Sequence, residues 1–338
     1  MEKLKNGIKS YDKSILTLFG IAVGIVVVMT FITPDFLQVS NVSSMAFQFP
    51  EFGILCFGMM ICMISGGIDL SLVGTANLSG IVAALIIITM GSTQTSIIIG
   101  IIAAIVVGAL CGLFNGYLIG QLQIPAMLVT LCGGQLFTGL GVVITKGPAI
   151  TGLPESLQII ANGSILGFIP IAFVIFVLIA IGLNFILKYT VYGKQLSFMG
   201  TNESASRYAG INNLRVTLIT YMLSGILAAI AGIIIISHYG SAKSDYGTSY
   251  ILLTLLIVVL GGVAPSGGKG KVLGVSLAVI ILQMISSAFN ILRFNAFIKT
   301  LAWGLLLIVV MVVKAILQEH PIKFRTASSS QIKLKKNL

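Results

Sequence analysis

Apolar runs close to the length of one bilayer crossing follow one another along almost the whole chain, separated by short polar gaps. About 20 residues of helix span the hydrocarbon core, and a helix satisfies its backbone donors and acceptors internally where no water can. With glycine and polar interruptions allowed, the sequence predicts helices at residues 14–32, 51–65, 72–90, 96–120, 125–145, 164–187, 216–237, 250–263, 272–291 and 296–317. The second and eighth are short, and the fifth carries Gly133, Gly134, Gln135, Gly139 and Gly141, so these three are candidates for broken or re-entrant segments. The expected fold class is all-α: a polytopic helical bundle of about ten transmembrane helices in one membrane domain, residues 14–317. A short segment, 1–13, precedes it and a basic tail, 318–338, follows.

Composition excludes the soluble alternatives. The chain of 338 residues is 57% hydrophobic and only 9% charged, against about a quarter charged in soluble domains. The first apolar run is long enough to span and is followed by no small-x-small cleavage site, so a retained span is expected rather than a secretory leader. A formal charge of +11 raises nucleic acid as a partner. The cations, however, flank apolar runs and form no basic face with interleaved aromatics, so the bilayer is the expected partner and nucleic acid is not.

The same cations supply a test of topology, because Lys and Arg accumulate at the cytoplasmic ends of spans. Ten spans with both termini cytoplasmic place 16 of the 20 Lys and Arg residues inside, leaving only Lys146, Lys243, Arg293 and Lys299 outside. In this topology residues 188–215 form the largest internal loop. The Lys- and Ser-rich tail reads as a solvated end.

Few residues carry chemistry. Cys56, Cys62, Cys111 and Cys132 all lie in apolar runs without metal-ligand spacing and are expected to be buried free thiols. His238 and His320 are far apart, and no zinc, nucleophile-elbow or paired-carboxylate motif occurs, so neither catalysis nor a bound metal is expected. Gly261 to Lys271 is glycine-rich but fails as a phosphate loop: Val263 stands where its first glycine belongs, and Gly270 where its hydroxyl does. A flexible turn is expected there.

Four polar residues interrupt the spans and are the pathway candidates: Asp69, Asn77, Asn115 and Gln135. Asp69 sits in Ser65-Gly66-Gly67-Ile68-Asp69-Leu70-Ser71, where irregular backbone must be buried in protein or line water. Either Asp69 or Ser71 caps the next helix, or Asp69 meets a solute. Asn115 lies beside a row of small residues at Gly100, Ala104, Gly108, Gly112, Gly116 and Gly120, which permits close helix approach, within the chain or between chains. In the 188–215 loop, Asn202 is placed to cap a short helix with Glu203 in its first turn, Ala205 and Ala209 on one face and Arg207 elsewhere.

Three blocks together resemble the membrane permease subunit of bacterial ABC importers for ribose and related simple sugars: Gly66 to Ser71, Gly200 to Ile211, and Val259 to Gly262 leading into Gly267 to Gly270. The resemblance runs from about residue 15 to residue 315. The first block separates that family from the branched-chain amino acid permeases it otherwise resembles. The second is similar to a pattern in which a short cytoplasmic helix docks on an ATP-hydrolysing subunit, and departs from it at Thr201, Ser204 and Ala209. The resemblance implies coupling residues Asn202, Glu203, Ala205, Arg207 and Gly210. It implies cytoplasmic ATPase subunits that hold ATP and magnesium, an extracellular or periplasmic binding protein, and a second permease, identical or homologous. It further implies a place in the bacterial inner membrane and no cofactor on this chain. The rival reading is a secondary transporter driven by an ion gradient, with Asp69 in its favour.

Overall fold

The computed structural model describes residues 2–165, 167 and 169–319. Its elements in chain order are α1 (Glu2–Ile32), α2 (Val39–Ile64), α3 (Leu72–Thr89), α4 (Gln94–Gly120), α5 (Ala126–Thr145), β1 (Ile150–Thr151), α6 (Glu155–Asn162), β2 (Ser164–Ile165), β3 (Ile169–Pro170), α7 (Ile171–Tyr189), α8 (Val191–Thr201), α9 (Glu203–Tyr208), α10 (Asn213–Tyr239), β4 (Ser241–Ala242), α11 (Tyr250–Leu260), α12 (Val272–Ile291) and α13 (Ala296–Glu319). Eight helices are long and apolar enough to cross a membrane, with two shorter apolar helices at Tyr250–Leu260 and Phe297–Val310. These ten correspond one for one to the expected runs. Residues 320–338, which hold His320 and most of the basic tail, lie outside the described residues.

The bundle is built around α3 and α10. Leu72 to Ile81 of α3 are all buried, and α10 packs along α2, α3 and α4. By contrast, α1, α4, α5 and α7 expose large apolar side chains such as Phe19, Ile102, Leu131 and Ile181, as helices facing a hydrocarbon solvent do. The row of small residues on α4 is an internal contact. Gly100 meets Ala83 and Ile87 of α3, Gly108 meets Gly225, Gly112 meets the Tyr221 backbone, and Gly116 and Gly120 meet Leu218 and Leu214 of α10. A four-residue spacing drifts about 40° per step on a 3.6-residue helix, so the row serves two neighbours in turn.

Several expectations are corrected. The second helix begins at Val39, not residue 51. Its first half holds Asn41, Gln48 and Pro50, which make it look unlike a span, but Asn41 Oδ1 accepts from Ser287 Oγ at 2.8 Å and Gln48 Oε1 from Gln283 Nε2 at 3.2 Å. The partners are both on α12, so the polarity is satisfied within the protein. The first helix continues back through the expected N-terminal segment to Glu2. The sixth run starts later, at Ile171, because Ser164–Ile165 and Ile169–Pro170 pair as the antiparallel strands β2 and β3. Cys56, Cys62 and Cys111 are buried, but Cys132 is exposed, because α5 lies at the periphery with its apolar side chains outward.

Candidate functional site

The 188–215 segment is not one loop helix but two, α8 and α9, meeting at Asn202. The Thr190 hydroxyl accepts from Gly193 N at 3.2 Å to start α8, and Asn202 Oδ1 accepts from Ala205 N at 2.9 Å to start α9. These are N-cap bonds, each satisfying a donor the helix leaves orphaned. In α9 only Ser206 is buried; Asn202, Glu203, Ala205, Arg207 and Tyr208 are exposed, Tyr208 to 94%. Glu203 and Arg207 form an exposed ion pair at 3.4 Å. Ser206 faces inward, its hydroxyl 2.8 Å from Asn213 Oδ1, while Asn213 Nδ2 donates to Glu203 O at 3.0 Å. The chain then turns at Gly210, which takes φ +79°, a conformation costly for any residue with a Cβ.

Beneath α8 three glycine-bearing turns close on one another. A Cβ on Gly200 would collide with Ile64 O and lie 2.6 Å from Gly268 N; a Cβ on Gly267 would lie 2.9 Å from the Gly66 Cα. Gly268 N donates to Ile64 O at 2.8 Å. Gly66, Gly267 and Gly268 all have positive φ. The Gly261–Lys271 stretch is therefore not a free turn but a docked one, and its glycines are there because backbone packs on backbone.

One of those turns leads directly into Asp69, which is 2% exposed. Its Oδ1 accepts from Ser71 N at 3.0 Å and Ser71 Oγ at 2.6 Å, and its Oδ2 from Ser224 Oγ of α10 at 2.7 Å. Asn115 Nδ2 donates to Ser71 Oγ at 2.8 Å, and Thr130 Oγ1 lies 2.9 Å from Ile68 O. The three donors offset the desolvation of the carboxylate. Asp69 thus organises the entry to α3 through Ser71, and the network joins α3, α4 and α10. Asn115 is 1% exposed and joins this network through Nδ2, while its Oδ1 has no hydrogen-bond partner.

Asn77 holds a different segment: its Nδ2 donates to Ser244 O at 2.9 Å and to Tyr246 O at 2.8 Å, pinning the stretch before α11 against α3. Gln135 is different. It is exposed and borders a cavity of about 320 Å³ whose walls are mostly apolar, from Leu70, Val73, Leu131 and Ile251, with Thr138, Ser244 and Thr248 as its other polar, uncharged groups. The structure therefore brings Asp69 and Asn115 into one buried network, and sets Gln135 beside a cavity whose far wall is the segment Asn77 holds.

A second buried cluster has no counterpart among the expected residues. Glu51, 2% exposed in the middle of α2, is hydrogen-bonded to His238 Nδ1 at the end of α10 and accepts from the Tyr250 hydroxyl at 3.1 Å. Glu51 stands at the start of a predicted span and His238 at the end of another, so each reads as a flanking polar residue. The signal available was a carboxylate and a histidine both at span depth. Among the described residues no group of three His, Cys, Asp or Glu side chains is placed to hold a metal ion.

Residues 41–315 match the family model described as branched-chain amino acid transport system / permease component. The ribose import permease proteins of Bacillus subtilis (strain 168) and Haemophilus influenzae are 32% and 30% identical to this chain, each over 84% of it and 88% of the relative. The L-arabinose transport system permease protein of Escherichia coli (strain K12) is 31% identical over 82% of this chain and 84% of its own. No solved structure matches the chain. With the match covering the bundle from α2 through most of α13, the protein belongs to this family of transport-system permease components and is a multi-pass, membrane-spanning permease subunit.

Proposed function

We propose that the chain forms the translocation pathway of an ATP-driven importer for a monosaccharide or related small polar solute, with both termini and the α8–α9 pair on the cytoplasmic side. The carrying observation is α9: a capped helix exposed on all but one residue, whose base is joined through Gly200 to the turn that holds Asp69. A helix so exposed is available to a partner, and a backbone junction passes its displacement to α3. Asn202, Glu203, Ala205, Arg207 and Gly210 form the surface for a separate ATP-hydrolysing subunit, which binds ATP and magnesium.

The cavity beside Gln135 has no charged residue in its lining, which suits a neutral cargo, and relatives named for ribose and L-arabinose support a sugar. A binding protein on the opposite face delivers the solute, and a second permease completes the pathway. Reconstitution in vesicles with a candidate ATPase subunit tests this: sugar uptake should require ATP. Uptake that follows an ion gradient and ignores ATP overturns it in favour of a secondary transporter.

A further inference from the structure

A cavity of about 460 Å³ lies at the α9 end of the bundle, separate from the one beside Gln135. Its walls come from three places: Ser65 and Gly67 from the turn after α2, Gln123 from the α4–α5 turn, and Glu203 and Arg207 from α9. Tyr221 of α10 closes it. The Tyr221 side chain is 1% exposed, and its hydroxyl has no hydrogen-bond partner. That hydroxyl points at Gly67, where any Cβ would collide with it. A buried phenol without a partner is rare, because the hydroxyl loses water without replacement. Here Tyr221 borders a cavity with room for a ligand, and its hydroxyl packs against Gly67, a contact that only a residue without a side chain allows.

The chemistry of the lining narrows the occupant. The two charges, Glu203 and Arg207, are paired with each other, so the cavity offers no net charge to an ion. Ser65, Gln123 and Tyr221 offer neutral donors and acceptors in mixed directions. This combination suits a small polyhydroxylated molecule. We infer that the cavity between Tyr221, the α4–α5 turn and α9 binds the transported sugar on its exit side, and that occupancy holds α9 against the bundle and slows further cycles. This rests on the import function proposed above. A ligand bridging α9 and α10 favours the arrangement in which both walls are close, and by linkage resists any state that separates them.

The test uses the full chain in lipid nanodiscs, with D-ribose and L-arabinose as probes and amide hydrogen exchange as the readout. Sugar should slow exchange in residues 121–125 and 199–213 in a saturable manner. Tyr221→Phe, which keeps the ring and removes only the hydroxyl, should raise the half-maximal concentration about five- to tenfold, and Gln123→Ala, at the exposed rim, about threefold. In vesicles containing the assembled transporter, sugar preloaded on the α9 side should lower ATP hydrolysis several-fold for the native chain and not for Tyr221→Phe. Protection confined to residues 70–74 and 131–138, or identical protection in Tyr221→Phe, overturns the inference, and marks the cavity as one that holds water only. ATP-driven uptake without protection at 121–125 and 199–213 removes this inference and leaves the import function standing; absence of ATP-driven uptake removes the import function itself.

Discussion

Ser224 Oγ donates to Asp69 Oδ2 at 2.7 Å, joining the middle of α10 to the turn before α3 across 155 residues of sequence. Both groups are buried, so no water replaces the bond when it is lost. Ser224→Ala should therefore cost about 1.5–3 kcal/mol, the range for a hydrogen bond to a charged group. Thermal unfolding in detergent measures it, and an unchanged melting temperature would show that Asp69 is held by Ser71 alone.

Gly200→Ala adds one methyl where only backbone faces it, so no rotamer relieves the overlap. A loss of about 1–3 kcal/mol is expected, together with more than tenfold slower uptake. Gly139→Ala is the matched comparison: Gly139 sits within α5 with nothing near its Cβ position, and alanine there should stabilise by about 0.5–1 kcal/mol. Equal effects of the two substitutions would contradict the backbone junction.

Glu203→Arg separates coupling from folding. The Glu203–Arg207 pair is exposed on both sides, so its loss changes stability by less than about 1 kcal/mol. ATP-dependent uptake should fall at least tenfold, while the amount of protein in the membrane is unchanged; uptake equal to that of the native chain would remove α9 from the coupling surface. Gly210→Trp is a poorer probe, since Gly210 has positive φ and any side chain there strains the turn as well as the surface.

His238→Ala leaves the buried Glu51 with the Tyr250 hydroxyl but without its imidazole partner, and about 3 kcal/mol of destabilisation is expected for a broken buried pair. Adding Glu51→Gln removes the charge and keeps an acceptor for the Tyr250 hydroxyl, so the double variant should regain at least half of the loss. A double-mutant cycle on melting temperature reads this directly, and simple additivity would mean the two residues are not coupled.

The span-length runs made the bundle legible: the predicted and observed limits of α3, α4, α5 and α12 agree within two residues, because a helix in lipid is governed by length and hydropathy. What remained hidden was tertiary. The first half of α2 looks polar in sequence only because the groups on α12 that satisfy Asn41 and Gln48 are more than 230 residues away. Asp69 stood out as a carboxylate between apolar runs, whereas Ser224 and Tyr221 did not, since single hydroxyls are common in membrane helices and are not conspicuous until their partners, or their lack of one, are known. Asn202 was legible because a cap is a local bond. The burial of Asn115 was not, because it depends on Ser71, 44 positions away.

The junction of Gly66, Gly200 and Gly267 is made of main chain, and main chain has no rotamers. Side-chain interfaces absorb small displacements by rearranging, which makes them compliant. A contact between peptide groups at van der Waals distance has almost no slack, so under the proposed coupling a push on α9 would reach the turn holding Asp69 as translation with little loss in between. In the proposed coupling the helix would be the short arm of a stiff lever whose pivot is three residues with nothing to bend.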